Sequence, residues 1–231
     1  MSESTLGGEL LLARRCMRDP IDEIFAASRL LDQAADAHLA GNFSNAAALI
    51  RAADLPAVRA WTESLWGSKK ATPDQHLYHR YRKLENTPVV LSKSARIQIR
   101  MPSAPEQVQI TERYGRHCVF CGIPLIRKQV RVFLKSKYPD DLSWGRTNLT
   151  QHSAFQCMWF QFDHILPHSR GGNNDIENVV PACAPCNFGR MQWTLEEVGL
   201  IDPRTIKLTE SSWDGLERLI LKSPPPPKLR S

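Results

Sequence analysis

The stretch Phe162–Arg190, FDHILPHSRGGNNDIENVVPACAPCNFGR, decides how this chain is read. It joins the pair Asp163-His164, a second histidine at His168, the turn Gly171-Gly172, several asparagines and a Cys-x-x-Cys at Cys183 and Cys186. Just upstream, in CMWFQFDHIL, Met158, Phe160 and Phe162 alternate with Trp159 and Gln161. That period of two predicts a half-buried strand, with Asp163 and His164 at its end. PHSRGGNNDIEN then reads as a polar loop, Val179 and Val180 as a return strand, and NFGRMQW as the opening of a helix. A strand, loop, strand, helix order can bring Asp163, His164 and Asn187 to one face.

Working outward, a second knuckle, Cys118 and Cys121, lies about sixty residues before Cys183. A two-residue spacer lets both sulfurs of a knuckle meet one ion, and two knuckles close a tetrahedral Zn²⁺ site. Such a site has no open position for water, so the expected zinc is structural. It must bridge an insertion at about 123–155, in which VRVFLKSKYPDDLSWGR predicts a short helix and a loop, and LTQHSAFQ a second helix. Cys16 and Cys157 are left over.

The residues DHILP at Asp163–Pro167, RGG at Arg170–Gly172, Asn178, and C-x-x-C-N-x-x-R from Cys183 to Arg190 together resemble the HNH endonuclease family. The flanking Cys118/Cys121 pair is similar to its zinc-containing branch. The resemblance covers about Cys118–Arg190 and departs from the lettered pattern at Asn187, which stands in place of the final His. It implies an α+β chain: a ββα-metal nuclease core with a four-cysteine zinc site, joined to an N-terminal α-helical region. It implies His164 as general base, and histidine is also the residue type whose unperturbed pKa lies nearest neutrality. Asp163 and Asn187 offer hard oxygens to a catalytic Mg²⁺ or Mn²⁺. Asn178 is expected to brace the loop and fix His164, completing a catalytic set of His164, Asn178, Asp163 and Asn187. Arg190, one helical turn after Asn187, is expected to hold a phosphate. Arg170 and His168 are further expected nucleic-acid contacts, and Asn173 and Asn174 turn residues only.

The rest of the chain frames this segment. Its 231 residues carry a formal charge of +6, and 42% are hydrophobic. That balance suits a polyanionic partner. Residues 67–107 concentrate the bases: Lys69, Lys70, Arg80, Arg82, Lys83, Lys93, Arg96 and Arg100 stand against Asp74, Glu85 and Glu106. HLYHRYRKLE interleaves bases with Tyr78 and Tyr81, so Arg80, Arg82 and Lys83 are expected at phosphates. Val89–Leu91 and Ile97–Ile99 predict short strands, hence a basic linker with a hairpin.

The division expected is a helical region at 1–66, docking a protein partner or a second copy; the linker at 67–107; a nuclease domain at 108–202; and a C-terminal helix and tail at 203–231. In the first, Ile21, Ile24, Leu31, Ala35 and Leu39 recur at helical spacing, and Ser44 is the expected cap of the next helix. Thr194 with Glu197 forms a capping-box pattern, and KSPPPPKLRS predicts an extended polyproline segment. No apolar run is long enough to span a membrane, and the N-terminus does not read as a signal peptide, which points to the cytoplasm. The activity expected is metal-dependent cleavage of double-stranded DNA, in phage defence, restriction or a mobile element. The competing expectation is a zinc-dependent nucleic-acid-binding module, or a nuclease subunit latent until a partner binds.

Overall fold

The computed structural model describes residues 13–66, 81–207 and 211–221. Arg80 and the proline-rich tail lie outside the described residues.

Three helices open the chain. α1 (Asp22–Leu39) buries Ile24, Ala27, Leu31, Ala34 and Ala35, one stripe at three- and four-residue steps, against α2 (Phe43–Ala52). Asn42 caps α2 by accepting from the Asn45 amide at 3.2 Å, while the expected cap, Ser44, sits inside the helix. α3 (Pro56–Trp66) buries Val58, Trp61 and Leu65. The Trp61 indole donates to the Asp19 carbonyl at 2.8 Å, so its one polar atom enters the core satisfied.

These apolar faces are used within the chain. After α4 (Ala104–Tyr114) and α5 (Lys128–Lys137), α3 packs on α6 (Ser153–Cys157) and on the helix that carries Asn187. The Ser153 amide donates to Asp54 at 2.7 Å, and His152 Nε2 meets the Ile50 carbonyl at 2.8 Å. One hydrophobic core therefore runs from α1 to the strands, and only the outer faces of the N-terminal helices remain for a partner.

β1 (Phe160–His164) and β2 (Val179–Cys183) form an antiparallel pair, in register from Phe160 opposite Cys183 to His164 opposite Val179. α7 (Ala184–Arg190) follows β2 without a break and packs on both strands. It ends at Arg190, short of the expected Trp193, because Met191 turns to a positive φ of 55°. At Gly189 an added Cβ would sit 3.0 Å from the Leu65 carbonyl, so glycine permits the close approach of α7 to α3. α8 (Leu195–Val198) starts at the expected Thr194–Glu197 capping box, and α9 (Arg218–Leu221) ends the described chain.

The basic segment departs from expectation. Residues 81–101 contain no strand, only one 3₁₀ turn at Lys93–Ala95. Val89 and Ile99 are 74% and 71% exposed, so no apolar face is available to pack a hairpin. Its backbone bonds instead to the module: the Arg82 amide donates to the Glu197 carbonyl at 2.7 Å, and the Leu91 amide to the Ser169 carbonyl at 2.8 Å. The segment is a strap laid along the loop between β1 and β2.

Candidate functional site

The four expected zinc ligands converge. The sulfurs of Cys118, Cys121, Cys183 and Cys186 lie within 4.8 Å of one another, and all four residues are buried. Thiolates on a tetrahedral zinc lie roughly 3.8 Å apart, given Zn–S bonds of about 2.3 Å. Cys121 and Cys183 are 3.7 Å apart, far beyond a disulfide bond, so the donor set fits zinc. Burial opposes charge on these sulfurs, but hydrogen bonds from its three neighbours hold the Cys118 thiol well below its ordinary value. Cys16 and Cys157 are buried thiols outside the cluster, and burial pushes Cys16 up to about 12. Neither is poised to react.

At the other end of the strand pair, β1 delivers Asp163 and His164 side by side. Asp163 points inward, where Arg190 grips both its oxygens: Nη2 donates to Oδ1 at 2.7 Å and Nε to Oδ2 at 3.2 Å. The same guanidinium donates to the carbonyls of His164 at 2.6 Å and Trp193 at 2.8 Å. Burial pushes the Asp163 carboxyl above the ordinary carboxylate range, and Arg190 pulls against that shift. Arg190 is 1% exposed, so it clamps the end of β1 to the end of α7 and does not reach a surface phosphate.

Arg170 shows the same correction. It pairs with Glu197 at 2.8 Å, both side chains buried, and donates to the carbonyls of Pro88 and Gln192 at 2.6 Å each. An arginine's role depends on whether a carboxylate is buried beside it, which a local motif does not reveal.

A divalent ion at Asp163 meets an obstacle in this arrangement. Its negative charge is already compensated by Arg190, and both oxygens are engaged. The expected pair of hard ligands is therefore not presented together. Asn187, on the turn of α7 before Arg190, is half-buried, and its amide has no hydrogen-bond partner among the described residues. It is the expected ligand left available.

Asn178 braces the loop, as expected. Its Oδ1 accepts from the Leu166 amide at 2.9 Å, and its Nδ2 donates to the Asn173 carbonyl at 2.9 Å. Gly172 is required here, since an added Cβ would overlap the Leu166 carbonyl oxygen.

The bond to His164, however, comes from Asn174, not Asn178. Asn174 Oδ1 lies 2.9 Å from His164 Nε2, and Asn174 Nδ2 donates to the Ile99 carbonyl of the strap at 2.7 Å. A carbonyl accepts only, so the Asn174 amino group must face Ile99 and its oxygen must face His164. Nε2 then carries the imidazole proton, and Nδ1 keeps the lone pair. Nδ1 has no hydrogen-bond partner among the described residues. Burial pushes the His164 pKa below the ordinary histidine value; the Asn174 bond and Asp163 raise it in part, and the nearby charges of His168 and Arg100 lower it. His164 is therefore neutral at pH 7, the form that can accept a proton. His168 stands beside it, ring centroids 5.6 Å apart, with its Nε2 at 2.9 Å from the Ile97 carbonyl.

Two other expected contacts, Arg82 and Lys83, lie exposed on the strap beside Tyr81, which stacks on Trp193 at 3.9 Å. The sequence reading missed Asn174 and the strap carbonyls. An asparagine in a turn looks the same whether or not it has a partner.

Residues 153–197 match the family model described as HNH endonuclease. This segment belongs to the HNH endonuclease family. The HNH match takes in His164, Asn174, Asn178, Asn187, Arg190 and the knuckle Cys183/Cys186, but neither Cys118/Cys121 nor the strap. No curated protein and no solved structure matches the chain. Among the described residues, no helix is long and apolar enough to cross a membrane.

Proposed function

We propose that the chain is an endonuclease that hydrolyses phosphodiester bonds in double-stranded DNA, with His164 as general base. The observation that carries this reading is the placement of the imidazole: Nε2 faces Asn174 Oδ1 at 2.9 Å, and Nδ1 has no hydrogen-bond partner among the described residues. Nδ1 takes a proton from water, the resulting hydroxide attacks phosphorus, and the P–O bond to the leaving nucleotide breaks. The family match supports nuclease chemistry in general, and the net charge of +6 supports a polyanionic substrate.

The four cysteines hold a structural zinc. Divalent-ion dependence, on Mg²⁺ or Mn²⁺, belongs to the same proposal: such an ion would neutralise phosphate charge, and Asn187 is the donor free to meet it. Phage defence, restriction or a mobile element is the biological setting proposed from the same resemblance. The site is closely covered, with His164 6% exposed, which favours a nuclease that a partner helps to open over a binding module without cleavage.

Plasmid nicking over a panel of metals, with duplex DNA, single-stranded DNA and RNA compared, tests the reading. The expected result is cleavage of duplex DNA that His164→Ala abolishes. Identical behaviour of the two proteins, with no cleavage by either, would sink it. Cleavage only after a partner is added would identify a latent subunit.

A further inference from the structure

We propose that Arg100, on the strap next to Ile99, is the cation that grips the substrate phosphate at the His164 site. This rests on the nuclease reading above.

The first support is elimination within the module. Its two motif arginines are consumed: Arg190 by Asp163 and Arg170 by Glu197, all four side chains buried. A nuclease site must still neutralise charge on the phosphate. Besides a divalent ion, any arginine or lysine that does so has to come from beside the module, since Arg170 and Arg190 are the only two within 153–197.

The second support is placement. The strap is pinned along the loop at three successive points. The Leu91 amide donates to the Ser169 carbonyl at 2.8 Å, the Ile97 carbonyl meets His168 Nε2 at 2.9 Å, and the Ile99 carbonyl accepts from Asn174 at 2.7 Å. The last pin is one side chain away from His164, and the next residue is Arg100. Its charge acts on the His164 imidazole.

The third support is availability. Arg100 is exposed and has no carboxylate or hydrogen-bond partner among the described residues. Arg96 differs, because its guanidinium folds back on the Leu91 carbonyl at 3.0 Å and stiffens the strap. The strap as a whole, 81–101, carries Arg82, Lys83, Lys93, Arg96 and Arg100 against Glu85. A guanidinium presents a planar fork that fits two phosphate oxygens, and an unpaired one needs no prior bond broken to do so.

The test uses the full chain. In a His164→Ala background, binding to a short fluorescein-labelled DNA duplex is followed by anisotropy across a salt series. Arg100→Ala should lower the slope of log K against log salt by about one, as expected when one fewer phosphate is neutralised. Arg29→Ala, on α1, removes the same charge and should leave the slope unchanged. In the otherwise native chain, Arg100→Ala should lower kcat roughly 100-fold, the scale for removing one charge-stabilising donor, with Arg100→Lys recovering part. Melting should not move, since Arg100 makes no bond within the fold.

An Arg100→Ala protein with the slope and turnover of Arg29→Ala would show an arginine that is merely solvated and overturn the proposal. A parent chain that binds duplex DNA but cuts nothing with any metal would sink the nuclease reading, while the slope still decides Arg100. A parent that neither binds nor cuts overturns both.

Discussion

The two ends of the β1–β2 ladder are held in different ways. At one end Phe160 faces Cys183, and the Cys183 sulfur belongs to a closed cluster of four buried ligands. At the other end, about 13 Å along the strands, His164 faces Val179 and takes its orientation from Asn174, which the Ile99 carbonyl holds in turn. The cysteine end brings together identical donors that could share one ion. The histidine end is assembled from unlike parts, and one of those parts lies outside the matched module. Both ends draw on chain outside the matched module, Cys118 and Cys121 at one and the strap at the other, but like donors need only converge, while a general base needs a free lone pair and so depends on neighbours that hold everything except that atom.

The strongest way to break this comparison is at the cysteines. Cys183→Ser should release zinc and unfold the domain, because metal binding to a site of this kind contributes on the order of 10 kcal/mol. Metal content after dialysis and a thermal melt check it, and unchanged melting with full metal retention would refute the structural zinc.

Next in size is the clamp between the two ends. Asp163→Ala should destabilise the fold by about 3–5 kcal/mol, since it leaves the Arg190 charge buried and unpaired. Replacing both partners with apolar residues of similar volume, Asp163→Leu with Arg190→Met, should lose less than Asp163→Ala alone, as read by denaturant unfolding. A double variant at least as unstable as the single one would mean that the bonds from Arg190 to the His164 and Trp193 carbonyls matter more than its charge pairing.

The smallest effect on stability, and the sharpest on chemistry, is expected at Asn174. Asn174→Ala should cost about 1 kcal/mol, the order of a hydrogen bond, while kcat falls and KM stays nearly constant. The Asn174 bond raises the His164 pKa, so its loss should move the acid limb of the pH–rate profile to lower pH. Asn174→Asp keeps an acceptor and adds negative charge, so it should retain cleavage and move that limb to higher pH. An unmoved acid limb in both variants would assign Asn174 to the loop rather than to His164.

Much of the framework was legible before any coordinates. Period-two alternation marked β1, the Thr194–Glu197 pair marked the start of α8, and helical spacing marked α1. Each is a local signal, fixed within a turn or two of chain. The hairpin expected in 81–101 failed because its β-branched residues have no second layer to pack on, and its backbone found the module instead. The cap expected at Ser44 failed by a smaller margin, since Asn42 two residues earlier offers the same kind of oxygen.

The sequence by itself determined the composition of each end of the ladder: two knuckles with the spacing of zinc ligands, and an Asp-His pair at a strand terminus followed by a glycine turn. Only the tertiary structure decided which groups meet. It turned Arg190 and Arg170 inward onto Asp163 and Glu197, gave His164 to Asn174 rather than Asn178, and laid the Ile97 and Ile99 carbonyls across the site. The physical reason is that every residue carries a backbone carbonyl and most arginines look alike in one dimension. Which carbonyl accepts, and which guanidinium is left for a ligand, follows from packing between segments far apart in the chain.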